Sequence, residues 1–161
     1  MSLNQPFWLD ANVFIEAKNR WYPFDRVPKF WAFLAAEIDA GSISCPKYVY
    51  DEIMQGKDQL AVWIRARKSK GLCIKADADV QVEYRKIVAY VSSKYPRNQY
   101  EEFLSGADPW LIAAAMRFGG TVVSQESTSR KSKIRIPTIC GVFSVPCTDT
   151  PGMLDHFKPT F

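Results

Sequence analysis

Four acidic side chains stand at positions where an α/β protein commonly builds a site. Two of them lie at the C-terminal ends of short runs, 7–9 and 121–124, that predict buried strands. The other two lie near the starts of candidate helices. Because ligands bind outside the carboxyl ends of the strands in open α/β sheets, we expect these carboxylates to share one pocket. The four residues are Asp10, Glu52, Asp108 and Glu126.

Carboxylates gathered in one pocket repel one another unless a cation compensates their charge. Mg²⁺ and Mn²⁺ prefer carboxylate and water oxygens as ligands. Such an ion can activate a water molecule and stabilise an in-line phosphoryl displacement. The acids therefore indicate a metal site suited to phosphodiester chemistry, and Asp10 is the first candidate ligand.

Helix capping offers a simpler explanation for two of these acids. Asp10 or Asn12 can cap the helix that follows the first strand. Asp108 precedes Pro109, and Asp at the N-cap with Pro at the first helical position is a strong helix start. The sequence alone leaves the capping and metal-binding interpretations of both residues open.

Adjacent helical residues point about 100° apart, so only one of Asp51 and Glu52 should face the same cleft as Asp10. Glu52 lies between the apolar positions Val49 and Ile53. We therefore expect Glu52 to lie near the buried face and Asp51 to be more solvated. As an alternative, either residue can be a surface acid that complements the helix dipole.

Length and composition exclude several classes of protein. The chain has 161 residues, 47% of them hydrophobic and 24% charged, which predicts one globular domain over residues 1–161. No apolar run approaches the roughly 20 residues that span a bilayer, and no signal peptide is visible. We therefore expect a cytoplasmic protein without a membrane partner.

Cysteine and histidine chemistry is poorly supported. The four cysteines contain no C-x-x-C pair, so we expect reduced thiols rather than a zinc site. His156 is the single histidine, and no nucleophile elbow accompanies it. Gly119 and Gly120 indicate the end of a helix rather than a phosphate-binding loop. The cysteines are Cys45, Cys73, Cys140 and Cys147.

Apolar spacing predicts the elements that position the acids. A helix face is formed by Val27, Phe30, Trp31, Leu34 and Ile38, and Gly41 ends that helix. The first half of the chain further predicts a strand at 42–45, a helix from 46 or 47 and a long helix ending at Pro96. A loop with a short helix follows at 97–105. The last part predicts a helix from Asp108, a strand at 144–147 and a helix at 151–157; the expected buried residues of the helix from Asp108 are Leu111, Ala114, Ala115 and Phe118.

Two basic clusters are candidates for binding the phosphate backbone of a nucleic acid. Each lies in a stretch without acids, and each is alternatively a solvated surface. A formal net charge of +4 is modest, so local clustering matters more than the total. The residues singled out are Arg65, Arg67, Lys68, Arg130 and Lys131.

The order of these features resembles the PIN-domain ribonuclease family, specifically a prokaryotic PIN-like subfamily. The matching features are Asp10-x-Asn12, then Glu52, then Asp108 opening an Ala-rich helix, then Ser124-x-Glu126 after a valine strand. The resemblance runs through the whole chain. It implies a three-layer α/β/α fold with a central, mainly parallel sheet.

The resemblance also implies roles for individual residues. Asp10, Glu52 and Asp108 would bind metal and act in catalysis, supported by Asn12 and Ser124. The fourth acid of the family is usually Asp, so Glu126, which is one methylene longer, departs from the pattern and would bind metal directly or through water. Pro109 after the third acid is also unusual.

The function implied by the resemblance is an endoribonuclease that depends on Mg²⁺ or Mn²⁺, acting as the toxin of a type II toxin–antitoxin pair. The expected partners are an RNA substrate and a protein antitoxin, and a homodimer is left open. The aromatic loop 21–24 is a candidate antitoxin surface, or alternatively core. Two other functions remain in play: a small phosphatase using Asp10 as nucleophile, and a catalytically silent nucleic-acid or protein-binding module.

Overall fold

A computed structural model describes residues 6–68, 72–125 and 133–161. Within them, five short strands form one sheet in which every pair of neighbours is parallel. The order across the sheet is β3-β2-β1-β4-β5. The strands are β1 (Phe7–Leu9), β2 (Ile43–Pro46), β3 (Cys73–Ile74), β4 (Thr121–Val123) and β5 (Cys147–Thr148).

Helices cover both faces of the sheet, which gives the three-layer α/β/α PIN-like architecture expected from the sequence. A π-helical segment, Ala17–Trp21, follows the first helix. The helices in the described part of the chain are α1 (Ala11–Glu16), α2 (Pro28–Asp39), α3 (Lys47–Met54), α4 (Gln59–Arg67), α5 (Ala78–Lys94), α6 (Arg97–Ser105), α7 (Asp108–Phe118), α8 (Ile136–Val142) and α9 (Thr150–Phe157).

The strand order reverses beside β1, at the centre of the sheet. From β1 the chain builds outward through β2 to β3, and it then returns to place β4 on the other side of β1. In register, Leu9 lies opposite Val123, so both strands end at the same level. A crevice forms at such a reversal in doubly wound folds, so the carboxyl ends of β1 and β4 are the expected site.

The apolar patterns located most elements correctly. Phe30, Trp31, Leu34 and Ile38 are buried on α2, and Gly41 follows that helix with a φ of 80°. Val49 and Ile53 are buried on α3. In each case, the run of apolar residues was long enough to define one face of the helix.

Short or weakly patterned elements were missed or misplaced. Segment 97–105 is entirely helical, and Phe103 is the buried residue of that helix. Strand β3 has two residues, and α8 contains Pro137 and Gly141, which weaken a helical pattern. The prediction that Phe118 is buried was wrong: it ends α7 and is 40% exposed.

Most of the aromatic loop 21–24 belongs to the core. Tyr22 stacks on Phe30 with ring centroids 4.1 Å apart, and Phe24 stacks on Trp31 at 4.0 Å. Trp21, by contrast, is 59% exposed at the end of the π-helical segment. None of the helices in the described ranges is long and apolar enough to cross a membrane.

Candidate active site

Asp10 lies at the reversal point and is 2% exposed. Its backbone N–H donates to the carbonyl oxygen of Val123 at 3.1 Å, which extends the pairing of β1 with β4 by one residue. Asp10 occupies the N-cap position of α1, yet its side chain makes no capping hydrogen bond. Capping therefore does not account for a carboxylate here. Asn12 lies inside α1 and is exposed, so it does not cap that helix.

Ser124 occupies the equivalent position at the end of β4. It is 2% exposed, and its backbone N–H donates to the carbonyl oxygen of Thr148 at 2.9 Å. Because Leu9 pairs with Val123, Asp10 and Ser124 follow neighbouring strands at the same level. The central strands thus place one buried carboxyl group and one buried hydroxyl group at the edge predicted from the sequence.

Of the four acids expected to share one pocket, Glu52 and Asp108 line a common one. Glu52 lies on α3, and its Oε1 accepts a hydrogen bond from the backbone N–H of Ala107 at 3.0 Å. Ala107 is the N-cap residue of α7, so the predicted assignment of Asp108 to that position was wrong by one residue. Asp108 is instead the first helical residue. The bond from Ala107 fixes the Glu52 carboxylate beside the start of α7.

The two neighbouring acids of α3 have different partners. Asp51 pairs with Lys47 one turn earlier, with Nζ and Oδ2 2.8 Å apart. Glu52 reaches towards α7 instead. The choice of Glu52 as the cleft-facing acid is consistent with this geometry. The expected burial was wrong, since Glu52 is exposed and Asp51 is partly buried.

The pocket has an empty volume of about 470 Å³, part of it open to solvent. Residues from α6 and from the segment before α8 complete its wall, and nothing in the sequence placed them at the pocket. Lys133 Nζ lies 3.4 Å from Glu102 Oε1, so a cation stands beside the acids. The lining residues are Glu52, Gln99, Glu102, Phe103, Gly106, Asp108, Lys133 and Ile134.

Asp10 is not among the residues that line this pocket. Among the described residues, no group of three or more His, Cys, Asp or Glu side chains is arranged to hold a metal ion. The predicted site residues Glu126, Arg130 and Lys131 lie outside the described residues. The structure therefore brings Glu52 and Asp108 to one pocket, and it places Asp10 and Ser124 at the ends of the neighbouring strands β1 and β4.

The donor set of the pocket nevertheless suits a magnesium ion. Mg²⁺ usually keeps several waters and takes one or two protein carboxylates together with substrate phosphate oxygens. Glu52 and Asp108 provide two carboxylates beside open solvent. Mn²⁺ uses the same oxygen ligands, so either ion fits this chemistry.

The basic residues of the first cluster lie at the end of α4. Arg65 and Lys68 are exposed, whereas Arg67 is partly buried. The Arg67 guanidinium lies 5.2 Å from the ring centroid of Trp63, and Lys68 Nζ lies 4.9 Å from that of Tyr50. Both contacts hold the side chains against aromatic rings, which is a defined arrangement rather than a freely solvated one.

Asp58 anchors the start of α4. Its Oδ1 accepts from the backbone N–H of Ala61 at 3.0 Å, and Lys18 donates to its other carboxylate oxygen. The hydrogen bond from Lys18 holds the pKa of Asp58 below its usual range. Helix α4, which ends in the basic cluster, is therefore capped at its start and linked to the π-helical segment through Lys18.

Comparisons with known proteins support the fold. A chain of the VapBC2 structure from Rickettsia felis, bound to a DNA fragment from its promoter, matches with a TM-score of 0.55 at 13% identity, covering 90% of this chain and 98% of that chain. FitAcB from Neisseria gonorrhoeae gives 0.52 at 18% identity, covering 88% and 96%. DNA-bound VapBC from Salmonella typhimurium gives 0.53 at 16% identity, covering 90% and 98%.

No curated protein matches the sequence. One family model, described as "Domain of unknown function (DUF4411)", matches residues 7–161. That match covers all but the first six positions. The chain therefore belongs to the DUF4411 family.

Proposed function

We propose that this protein is a metal-dependent endoribonuclease. The observation that carries the proposal is the position of Asp10, which is buried at the reversal point of a PIN-like sheet without serving as a side-chain cap. Burying a carboxylate is costly, so a buried acid at the point where the strand order reverses is a candidate for function. Glu52 and Asp108 add two carboxylates on helices that start at the same edge of the sheet.

Glu52 and Asp108 would hold Mg²⁺ or Mn²⁺, with Asp10 and Glu126 as the further acids of the site. When bound, the ion would supply an activated water and charge stabilisation for phosphodiester hydrolysis. The Ala107 N–H keeps the Glu52 carboxylate oriented. Ser124 and Asn12 would support the acids through hydrogen bonds.

Positive charge near the acids would hold the substrate. Lys133 stands in the pocket wall, where its ammonium group can meet a phosphate oxygen of RNA. The cluster of Arg65, Arg67 and Lys68 provides a second contact for the backbone. Arg130 and Lys131 would belong to the same binding surface.

Cleavage of RNA by the purified protein in Mg²⁺ or Mn²⁺ tests this function. We expect cleavage to stop in excess EDTA and to return when the ion is restored, because the carboxylates need a cation to act on a phosphodiester. A small phosphomonoester serves as the second substrate. Undiminished cleavage in EDTA would contradict the metal mechanism, and hydrolysis of the phosphomonoester without RNA cleavage would support a phosphatase instead.

The cluster at the end of α4 should contribute to RNA affinity through counterion release. In an Asp10→Asn background, replacing Arg65, Arg67 and Lys68 by Gln should reduce the slope of log K against log salt by roughly 0.7 for each lost phosphate contact. Arg20→Gln is the control, since Arg20 lies on the π-helical segment and pairs with Glu16 at the end of α1. An unchanged slope for the triple variant would identify the cluster as a solvated surface.

We further propose that the protein is a cytoplasmic toxin paired with a protein antitoxin, with a homodimer as one form. Structures of the same fold are described as VapBC and FitAB assemblies. Trp21 is the exposed ring of the loop considered as a docking surface, and exposed aromatics favour interfaces. A tagged protein should co-purify with the product of the adjacent reading frame and lose it on Trp21→Ser substitution. Absence of any such product would contradict the pairing.

A further inference from the structure

Three aromatic rings stack across α3, α5 and α7, and two of these helices carry the acids Glu52 and Asp108. The ring of Tyr84, on α5, lies 3.8 Å from that of Trp110 with an interplanar angle of 5°. The ring of Tyr48, on α3, lies 4.5 Å from that of Trp110 at 11°. These are close, nearly parallel arrangements of the kind formed by stacked aromatic groups.

Tyr48 and Tyr84 lie on opposite faces of Trp110. Two rings parallel to the indole at these centroid distances would overlap if they shared one face, so each occupies its own. The order of the stack is therefore Tyr84, Trp110, Tyr48. The structure describes no other ring against Tyr48 within 6–68, 72–125 and 133–161.

The two ends of the stack differ in solvation. Tyr84 is partly buried. Burial raises the pKa of its hydroxyl, and the electrostatic influence of Tyr48 raises that pKa further. Tyr48 is 40% exposed. Packing of α3 on α7 accounts for the inner face of Tyr48, which contacts Trp110. This packing does not explain why the rest of the Tyr48 ring is open to water.

The stack belongs to the same helices as the candidate acids. Tyr48 lies one turn before Glu52 on α3, and Trp110 lies two residues after Asp108 on α7. Helix α3 directly follows β2, so it begins at the edge where the parallel strands end, and the bond from Ala107 to Glu52 holds the start of α7 against α3. A ring at this position would meet a group next to the phosphate that the pocket receives.

We infer that the outer face of Tyr48 is a stacking surface for an unpaired nucleobase of the substrate RNA. A base added to this face would continue the existing stack, and its neighbouring phosphate would lie towards the Glu52 and Asp108 pocket. Every nucleobase has a π-face, so the contact would favour single strands over duplexes without selecting one base. This inference rests on the proposed nuclease function and adds a substrate contact to it.

Affinity for a short single-stranded RNA, measured by fluorescence anisotropy in an Asp10→Asn background, tests the contact. Tyr48→Leu should weaken binding by about 5-fold or more, which corresponds to the lower end of base–aromatic stacking. Tyr48→Phe keeps the ring and should bind like its parent. Phe118→Leu is the matched control, because Phe118 is also 40% exposed but ends α7, away from the pocket.

The choice of nucleic acid separates base stacking from backbone binding. Single-stranded DNA should show a similar loss with Tyr48→Leu, since stacking does not require the 2′-hydroxyl, whereas duplex RNA should show none. Equal losses on duplex and single strand would overturn the inference. Parental affinity of a folded Tyr48→Leu protein for single-stranded RNA would also overturn it.

Two further outcomes keep the inference separate from the proposed function. If Tyr48→Leu fails to fold, Tyr48→Trp should bind single-stranded RNA more tightly through its larger ring, and parental affinity would count against stacking. If the parent cleaves RNA and folded Tyr48→Leu binds single-stranded RNA with parental affinity, the stacking contact alone is refuted. If the parent never cleaves RNA but its RNA binding depends on Tyr48, the nuclease function alone is refuted.

Discussion

Asp10→Asn should reduce RNA cleavage by at least about 100-fold while the protein stays folded. The substitution keeps the size of the side chain and removes its negative charge at the buried end of β1. Asn also remains acceptable at an N-cap position, so α1 should be preserved. The expected loss is therefore one of chemistry rather than of structure, and single-turnover cleavage in saturating Mg²⁺ measures it.

Asp51→Asn is the matched control for this experiment. Asp51 is an acid of α3 next to Glu52, but it pairs with Lys47 and does not line the pocket. We expect its variant to cleave at the parental rate, with thermal unfolding confirming that both variants are folded. Parental activity in a folded Asp10→Asn protein would remove Asp10 from the mechanism. An equal loss in both variants would indicate a general charge effect.

The sequence located the edge of the sheet where the candidate site lies, because apolar runs mark strand ends. The predicted strands 7–9 and 121–124 are short and mostly buried, so Asp10 could be placed directly after the first and Ser124 at the end of the second. Asp108 could be placed near a helix start because Pro109 marks such a start. In each case, the informative signal was local along the chain.

The contacts between elements could not be predicted from one sequence. Spacing on α3 chose Glu52 over Asp51, but it did not show that the Glu52 carboxylate accepts from Ala107. Lys133 enters the pocket from a basic stretch whose place in the fold the sequence did not give, and Gln99 enters from a helix with one buried residue, Phe103. The Tyr48–Trp110–Tyr84 stack joins three helices, so no local pattern identifies it.

Site geometry in this fold depends on how closely β1 approaches β4. Gly120 lies between α7 and β4 with a φ of 108°, in the left-handed region that favours glycine. A Cβ there would lie 2.1 Å from the carbonyl oxygen of Pro6 and 2.9 Å from Trp8 Nε1. The same Pro6 oxygen accepts from the N–H of Thr121 at 3.1 Å, which starts the β1–β4 pairing. A side chain at Gly120 would therefore separate the two strands that carry Asp10 and Ser124.

Gly120→Ala should destabilise the fold by about 3 kcal/mol or more, because a backbone clash is added to an unfavourable φ. For a chain of this size that corresponds to a fall in Tm of roughly 6–12 °C. Gly41→Ala is the matched control: its φ is 80°, but nothing lies within 4 Å of its added Cβ. That variant should lose only about 1 kcal/mol, the cost of the backbone conformation. Thermal and denaturant unfolding compare the two, and equal losses would show that the approach to Pro6 does not limit the pairing of β1 with β4.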